Sequence, residues 1–426
     1  MIFTHSAHED RRVRLAYCHN LHPAADLEAM LANMRAVTLP LRERLAPGAP
    51  FGVGLYLDGE LARRLAAEPG AGDLKELALF LEANKLDPFT WNAFPHGRFH
   101  EDGLKSDVFK PTWKDRKRAE YTLAVARAAV TMLRRARPIA ARDHLSISTH
   151  TGMYAAWIKG KSDLEECIVA MARVVDDLAR MEEESGVRVV LALEPEPGAN
   201  AGTSAELAAF LDACSTSARE VLEEERNRDS ARAKELLRRH LGWCLDACHA
   251  AVAFEAEPLA QLPALTLGKM QYASAIEVRD PAHNPLGVEA LLGLDEPRYL
   301  HQVAGRGPEI LHAEDLPALR EELDGPKRAD WMACDAWRCH YHVPVDLEAA
   351  GEHLGTTRAS ADDLLAQLLI DPSRWSTHEL HLEIETYTWD VLPGHVRGSG
   401  ALVDGLEREY RHVMTALENA GWRHGA

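Results

Sequence analysis

No apolar stretch in this sequence approaches the roughly 20 residues that a membrane-spanning helix needs, and its opening residues, MIFTHSAHEDRRVRLAYC, lack the apolar core of a signal peptide. A cytoplasmic protein without membrane insertion is therefore expected. Paired-cysteine zinc chemistry is missing too. The seven cysteines, Cys18, Cys167, Cys214, Cys244, Cys248, Cys334 and Cys339, form no CxxC pair, so free thiols in a reducing compartment are expected. No GxGxxG follows the first strand-like run and no GxxxxGK[ST] occurs anywhere, which removes the common glycine-rich phosphate loops. Basic residues are also outnumbered: 48 Lys and Arg face 66 Asp and Glu, for a net charge of -18. That balance excludes a general affinity for nucleic acid or anionic membrane, though not a local basic pocket for a phosphate.

What is present is a globular composition, 46% hydrophobic and 27% charged, in 426 residues, enough for one large domain or two ordinary ones. Short apolar runs alternate with long amphipathic stretches, the pattern of a parallel sheet wrapped by helices. The strand-like runs are Val13–His19, Phe51–Leu57, Pro88–Phe94, Leu145–His150, Val187–Glu194, Gly242–Asp246, Leu267–Ala273, Trp337–Val343 and Leu380–Thr386. Helices are expected over Ala24–Leu45, Leu74–Asn84, Arg116–Arg135, Leu164–Ser185, Ala205–Leu241, Ala361–Leu369 and Leu402–Ala420. In the fourth of these, Ile168, Met171, Val174, Val175 and Leu178 recur at helical period. Eight strand–helix repeats make a TIM (β/α)8 barrel, and this list holds about one strand too many. The surplus falls in Glu277–Val345, rich in Pro, Gly and charge, which reads as an insertion between the seventh and last barrel strands or an excursion over the barrel mouth. No linker divides the chain, so a single domain over 1–426 is expected. The competing architecture is a doubly wound open sheet.

The chemistry concentrates where strands end. VVLALEPEPG places Glu194 and Glu196 at the exit of the fifth strand, on either side of Pro195. The first strand leads into Asn20, the third into Asn92 and His96, and the fourth into His150. The sixth, GWCLDACHAAVAF, carries Asp246 and His249 at DxxH spacing, and the seventh carries Gln271. CHYHVPV supplies His340 and His342, and LHLEIETYTWDVLP supplies His381, Glu383, Glu385 and Trp389. Each has a plain structural reading: Asp246 as a helix cap, His249 as a core histidine, Glu196 as a solvent-facing acid, Tyr387 and Trp389 as packing. The combination points further, because carboxylates inside apolar strands are costly to bury unless paired or bound to a cation. A barrel gathers strand C-termini at one face, so Glu194, Asp246 and Glu385 or Glu383 are expected together. Alternation puts His381, Glu383 and Glu385 on one side of the last strand, with Glu385 nearest the exit and Glu383 as deeper support. Oxygen-rich coordination with one or two imidazoles suits Mn, Mg, Co or Zn.

These residues resemble the xylose-isomerase-like TIM barrels, and within them the EboE family of sugar phosphate isomerase/epimerase-like proteins. The motifs that carry the likeness are YCHNLHP, APFGVGLYL, FTWNAFPHGRFH, ALEPEPG, LDACHAAVAF, LGKMQYASA, HYHVPV and HLEIETYTWDVLP, which span nearly the whole chain. The resemblance implies metal ligands at Glu194, Asp246, Gln271 and Glu385, with His249 as a substrate or secondary ligand. Gln271 departs from the histidine usual in the sugar epimerases, so His340 or His342 is expected to take its place, His342 being carried here as a ligand. EboE proteins are associated with metabolite traffic.

The expected reaction is metal-dependent isomerisation or epimerisation of a small polyhydroxylated metabolite, a sugar, sugar phosphate or cyclitol, through an enediolate. Glu194 and Glu385 would remove and return the proton. His249, His340, Glu196, Asn20, Asn92, His96, His150 and Trp389 are the expected substrate contacts, with Trp91 and Phe94 in an apolar wall and Lys110 or Lys159 on a phosphate. Two alternatives stay open: a phosphoesterase of the endonuclease IV type, whose DNA substrate suits a charge of -18 poorly, and a binding or traffic protein that kept the barrel and lost catalysis. No nucleic acid partner is expected, and homo-oligomerisation is left open.

Overall fold

Runs of six or seven residues that are buried on both faces, with apolar residues at least at every second position, suit a parallel sheet covered by helices. The computed structural model of the protein, which describes residues 1–67, 72–97, 99–135, 142–394 and 402–425, contains eight of them. They are β2 (Arg12–Tyr17), β3 (Phe51–Tyr56), β4 (Leu86–Asn92), β5 (Leu145–His150), β6 (Val189–Glu194), β7 (Leu241–Asp246), β8 (Leu267–Tyr272) and β14 (Glu379–Ile384). Seven parallel pairings join them in the order β2, β14, β8, β7, β6, β5, β4, β3. The two ends of this row meet at a parallel bridge between Cys18 and Gly54.

Glycine makes that closure sterically feasible. A Cβ on Gly52 would lie against the carbonyl oxygen of Leu15, and one on Gly54 against the Glu383 carboxylate and the Tyr17 carbonyl. Below the bridge, β2 pairs instead with the short antiparallel β1 (Ile2–Thr4), which in turn pairs with β15 (Arg423–His424). The molecule is thus a TIM barrel, its strands separated by helices such as Arg116–Arg135, Lys161–Ser185, Arg358–Ile370 and Leu402–Asn419. Among the described residues no helix is long and apolar enough to cross a membrane.

The helix expected over Ala205–Leu241 is broken into Ser204–Ala213, further turns to Glu225, and Ser230–His240. Asn227 adopts a left-handed φ of 53°, and Asp229 restarts the helix by accepting a hydrogen bond from the Arg232 amide at 2.9 Å.

Between β8 and β14 the chain builds a second, antiparallel sheet in the order β11, β10, β12, β9, β13. These strands are β9 (Ser274–Arg279), β10 (Val303–Arg306), β11 (Ile310–Ala313), β12 (Ala336–Val343) and β13 (Gly355–Thr356). Only Ala273 separates β9 from β8, so the chain runs almost straight out of the barrel into this sheet. The sheet has its own core, including Ile276, Val303, Leu319, Trp331, Trp337 and Tyr341. Trp337–Val343, one strand too many for the barrel, belongs here. The β9–β12 register shifts between Cys339 and Val343, across the stretch that carries His340 and His342, and such irregularities commonly re-aim side chains beside sites.

Candidate metal centre

The acids are gathered because their strands end at one level. Glu194 and Asp246 are the last residues of β6 and β7, and Glu385 follows β14 directly. Register pairs His150 with Glu194, Asp246 with Gln271, and Gln271 with Glu383. One carboxylate oxygen each from Glu194, Asp246 and Glu385 lies within 4.8 Å of the others, and all three residues are buried. Glu385 accepts hydrogen bonds from Asn20 Nδ2 (2.7 Å) and Asn92 Nδ2 (2.9 Å). Asp246 caps the helix Ala247–Val252 by accepting from the His249 amide at 2.8 Å. Glu194 Oε2 and Asp246 Oδ2 have no hydrogen-bond partner.

The buried cation beneath this cluster is already matched: Lys269 Nζ donates to Glu383, and Ser148 Oγ lies 3.4 Å away. Burial first, and then the neighbouring acids, push the Glu194 and Glu385 carboxyls well above the usual carboxylate range. Burial raises Asp246 as well, opposed by His342 and by backbone amides. Three converging carboxylates, two of them with an unsatisfied oxygen, are the donor set that a hard divalent cation takes, so these residues fit one. Gln271 stands beside them in register; its Oε1 accepts from the Cys244 thiol at 2.8 Å and its Nε2 has no partner.

Three imidazoles face the acids. The Nδ1 of His249 donates to the Pro195 carbonyl at 2.9 Å and that of His342 to the Glu385 carbonyl at 2.7 Å. His340 Nδ1 donates to Gln302 Oε1 at 2.6 Å, while Gln302 Nε2 donates to the Pro197 carbonyl at 2.7 Å and to Glu196 at 3.2 Å. Carbonyl oxygens only accept, so each ring carries its proton on Nδ1 and presents a lone pair on Nε2. His249 Nε2 lies 3.0 Å from His340 Nε2 and 3.2 Å from His342 Nε2. Burial lowers all three, His249 to about 3, His342 to about 4 and His340 well below the ordinary histidine value, so neutral rings turn their lone pairs toward each other. That arrangement awaits a cation or a donated proton. Tyr387 Oη supplies one hydrogen to His340 Nε2, at 3.2 Å. Asp246, His249 and His342 also bring one ligand atom each within 4.8 Å of one another.

A narrow cleft with a cavity volume of about 40 Å³ joins the two groups. Of the residues expected from sequence, Asn20, Asn92, Glu194, Glu196, His249, His340, His342 and Glu385 line it. Burial pushes the Glu196 carboxyl up to about 8, keeping it protonated near neutral pH. Asp246 and Gln271 lie behind that wall, and three of the expected substrate contacts do not reach it. The His96 ring packs on Tyr121, His150 packs against Phe94 and Phe109, and Trp389 donates Nε1 to Glu409 at 3.2 Å. Lys110 pairs with Asp107 over the Trp157 ring, away from the acids. Sequence reasoning missed Gln302, Tyr299 and Phe99 in or behind the wall. No motif marks them; their place follows from the second sheet and the loop after β4.

No family model matches the sequence, and no curated protein matches it. Among solved structures the chain is similar to an L-ribulose 3-epimerase, with 13% identity and a TM-score of 0.43 over 96% of this chain and 95% of that one. It is similar to a xylose isomerase domain containing protein from Salmonella typhimurium LT2, with 11% identity and a TM-score of 0.42 over 96% of this chain and 97% of that one. It is also similar to the IOLI protein with a binding zinc atom, with 11% identity and a TM-score of 0.35 over 61% of this chain and 72% of that one.

Proposed function

We propose that the protein is a metal-dependent isomerase or epimerase of a small polyhydroxylated compound, of the kind the EboE-like motifs imply. Glu194, Asp246 and Glu385 would hold a divalent cation (Mn, Mg, Co or Zn), with Gln271 and His342 beside them. The observation that carries the reading is the cluster of three buried carboxylates beside which the buried ammonium of Lys269 is taken by Glu383. When bound, the cation polarises a substrate carbonyl and offsets the negative charge that grows as the neighbouring carbon is deprotonated. Glu194 and Glu385, on strands three places apart around the barrel, take the proton from one side and return it from the other. Asn20 and Asn92 hold the Glu385 carboxylate in place. The Nε2 lone pairs of His249 and His340 accept from substrate hydroxyls, and the protonated Glu196 donates to a substrate oxygen.

The test is solvent-deuterium exchange, followed by NMR, at the carbon beside the carbonyl of candidate ketoses with the Mn²⁺-loaded protein. Exchange is expected and should fall by about 10²–10⁴-fold in Glu194→Gln and Glu385→Gln. Exchange that persists in both variants contradicts the assigned bases. A protein that takes up no stoichiometric divalent metal and is indifferent to EDTA contradicts the whole reading. It would leave the metabolite-binding alternative, which Gln271, with its Oε1 occupied by the Cys244 thiol, favours.

A further inference from the structure

Outside the acid triad, three buried imidazoles turn the same nitrogen toward one another. His340 and His342 stand two apart on β12, so both rings leave it on one side, while Tyr341 between them stacks on His301. His249 comes from the helix Ala247–Val252. Each Nδ1 is committed to a fixed acceptor: the Glu385 carbonyl for His342, the Pro195 carbonyl for His249 and Gln302 Oε1 for His340. The Nε2 lone pairs are left, and they converge, His249 Nε2 lying 3.0 Å from that of His340 and 3.2 Å from that of His342. Buried acceptors facing one another with no hydrogen between them are costly.

The spacing is that of ligands on one ion. A tetrahedral zinc holds its nitrogens about 2.0–2.1 Å away, which sets two of them about 3.3–3.4 Å apart. The observed 3.0 and 3.2 Å come close to that. Asp246 adds an oxygen: one ligand atom each from Asp246, His249 and His342 lie within 4.8 Å of one another, and Asp246 Oδ2 has no hydrogen-bond partner. The same carboxylate belongs to the triad with Glu194 and Glu385. The cavity of about 40 Å³ that joins the two groups has room for two or three waters, and so for ions that keep a water ligand.

We propose that the imidazoles form a second cation position, in which His249, His340 and His342 hold a borderline-soft divalent ion such as zinc and Asp246 bridges it to the ion of the triad. Imidazoles select zinc-like ions, whereas three carboxylates suit a harder one, so the two positions differ in preference. The inference draws on the proposed triad only through Asp246. With both ions bound, substrate oxygens meet the second ion where the single-ion site offers them the bare nitrogens of His249 and His340.

Elemental analysis of the full chain, stripped with EDTA and dialysed against Zn²⁺, tests this. About two equivalents are expected. His340→Gln should lose one of them, and Glu385→Gln should lose the triad's ion while the imidazoles keep theirs. Gln302→Leu, which keeps every ligand but frees the His340 ring, should weaken the second equivalent by about 10–100-fold in chelator competition. Because a buried variant can misfold, the wild type is also read directly with Co²⁺. The second ion should bring the intense visible absorption of a four-coordinate, nitrogen-rich site, where six-coordinate carboxylate oxygens give weak bands. A single equivalent with weak bands, lost in Glu385→Gln and kept in His340→Gln, overturns the second position and leaves the proposed function standing. A single equivalent with intense bands, unchanged in Glu194→Gln and Glu385→Gln, defeats the triad and supports the imidazole position. The Cys248 thiol, within 4.8 Å of ligand atoms from His340 and His342, is the competing donor; an intense near-ultraviolet thiolate band would put it in the place of Asp246 and overturn the bridge.

Discussion

Replacing Glu194 by glutamine removes one negative charge from a buried triad with almost no change of shape, and so separates a cation site from a merely polar one. Two like charges 4.8 Å apart repel by about 3.5 kcal/mol at an effective dielectric near 20, and Glu194 faces two such neighbours. In ion-free protein Glu194 and Glu385 avoid this repulsion by holding protons, their carboxyls being pushed well above the usual range, a cost that a neutral glutamine does not carry. Glu194→Gln should therefore melt at a higher temperature than the wild type in EDTA near pH 7. With Mn²⁺ the order should reverse. An ion at 100 times its dissociation constant stabilises the folded state by about 2.7 kcal/mol. For 426 residues at about 2.1 cal/mol/K each, the unfolding entropy is about 0.9 kcal/mol/K, so the wild type should gain about 3 °C. The variant should gain little, having lost one of three charged ligands. Differential scanning calorimetry of EDTA-treated protein, titrated with Mn²⁺, measures both effects. A variant that is less stable than the wild type in EDTA and still gains the full 3 °C would refute the idea that these acids form a cation site.

Three further perturbations test the framework around it. Glu409 is buried, accepts from Thr386, Trp389 and the Val345 amide, and is pushed up to about 8, chiefly by burial. Its folded form thus holds a proton that the unfolded chain, titrating near 4.5, releases, so stability present at low pH is lost as pH rises through this window. The loss is roughly 4 kcal/mol between pH 5 and 8.5, and Glu409→Gln should flatten that slope in urea titrations at the two pH values. At the opposite end of the barrel, buried Arg14 bonds Glu379 at 2.8 and 2.9 Å and Asp87 at 2.8 Å; Arg14→Met should cost about 3–5 kcal/mol in urea unfolding by stranding buried acids. Gly54→Ala should cost about 1–3 kcal/mol by driving a methyl group into Glu383 at the closing seam, and an unchanged melting temperature would mean that β2 and β3 do not meet as described.

The barrel is legible because short runs with apolar residues at every second position, or throughout as in β6, alternate with long periodic helices. Leu145–His150 is found at the bounds its run suggests, and Arg116–Arg135 follows equally from its period. The second sheet is not legible for the complementary reason. β10 (VAGR) and β11 (ILHA) are four residues each, and β11 leaves Ile310 and His312 exposed, so neither length nor alternation separates them from loop. The helix Gly59–Ala67 is too short for its period to stand out. Within the site, an acid in an apolar strand advertises itself, because burial without a partner is costly. A histidine does not. His150 shares a register position with Glu194, yet its ring turns to Phe94 and Phe109, and spacing alone carries no record of that choice.

The register shift in β12 gives Gln271 a physical rationale. A carboxamide at the end of β8 is a poor substitute for imidazole if the barrel must supply every ligand from its own strands. It does not have to. The second sheet is tied to both acid-bearing strand ends: Gln302 donates to Glu196 and to the Pro197 carbonyl beyond β6, and His342 Nδ1 donates to the Glu385 carbonyl beyond β14, where Thr388 Oγ1 also donates to the His342 carbonyl at 2.6 Å. These bonds fix the tautomers that leave Nε2 open, and they set those lone pairs beside Asp246 and His249. In the proposed site an imidazole delivered from outside the barrel would thus stand beside Asp246, whose register partner Gln271 offers only an amide. The same bonds make the insertion part of the site: removing it would strip the imidazole nitrogens from the cleft and release the two strand ends that carry the acids.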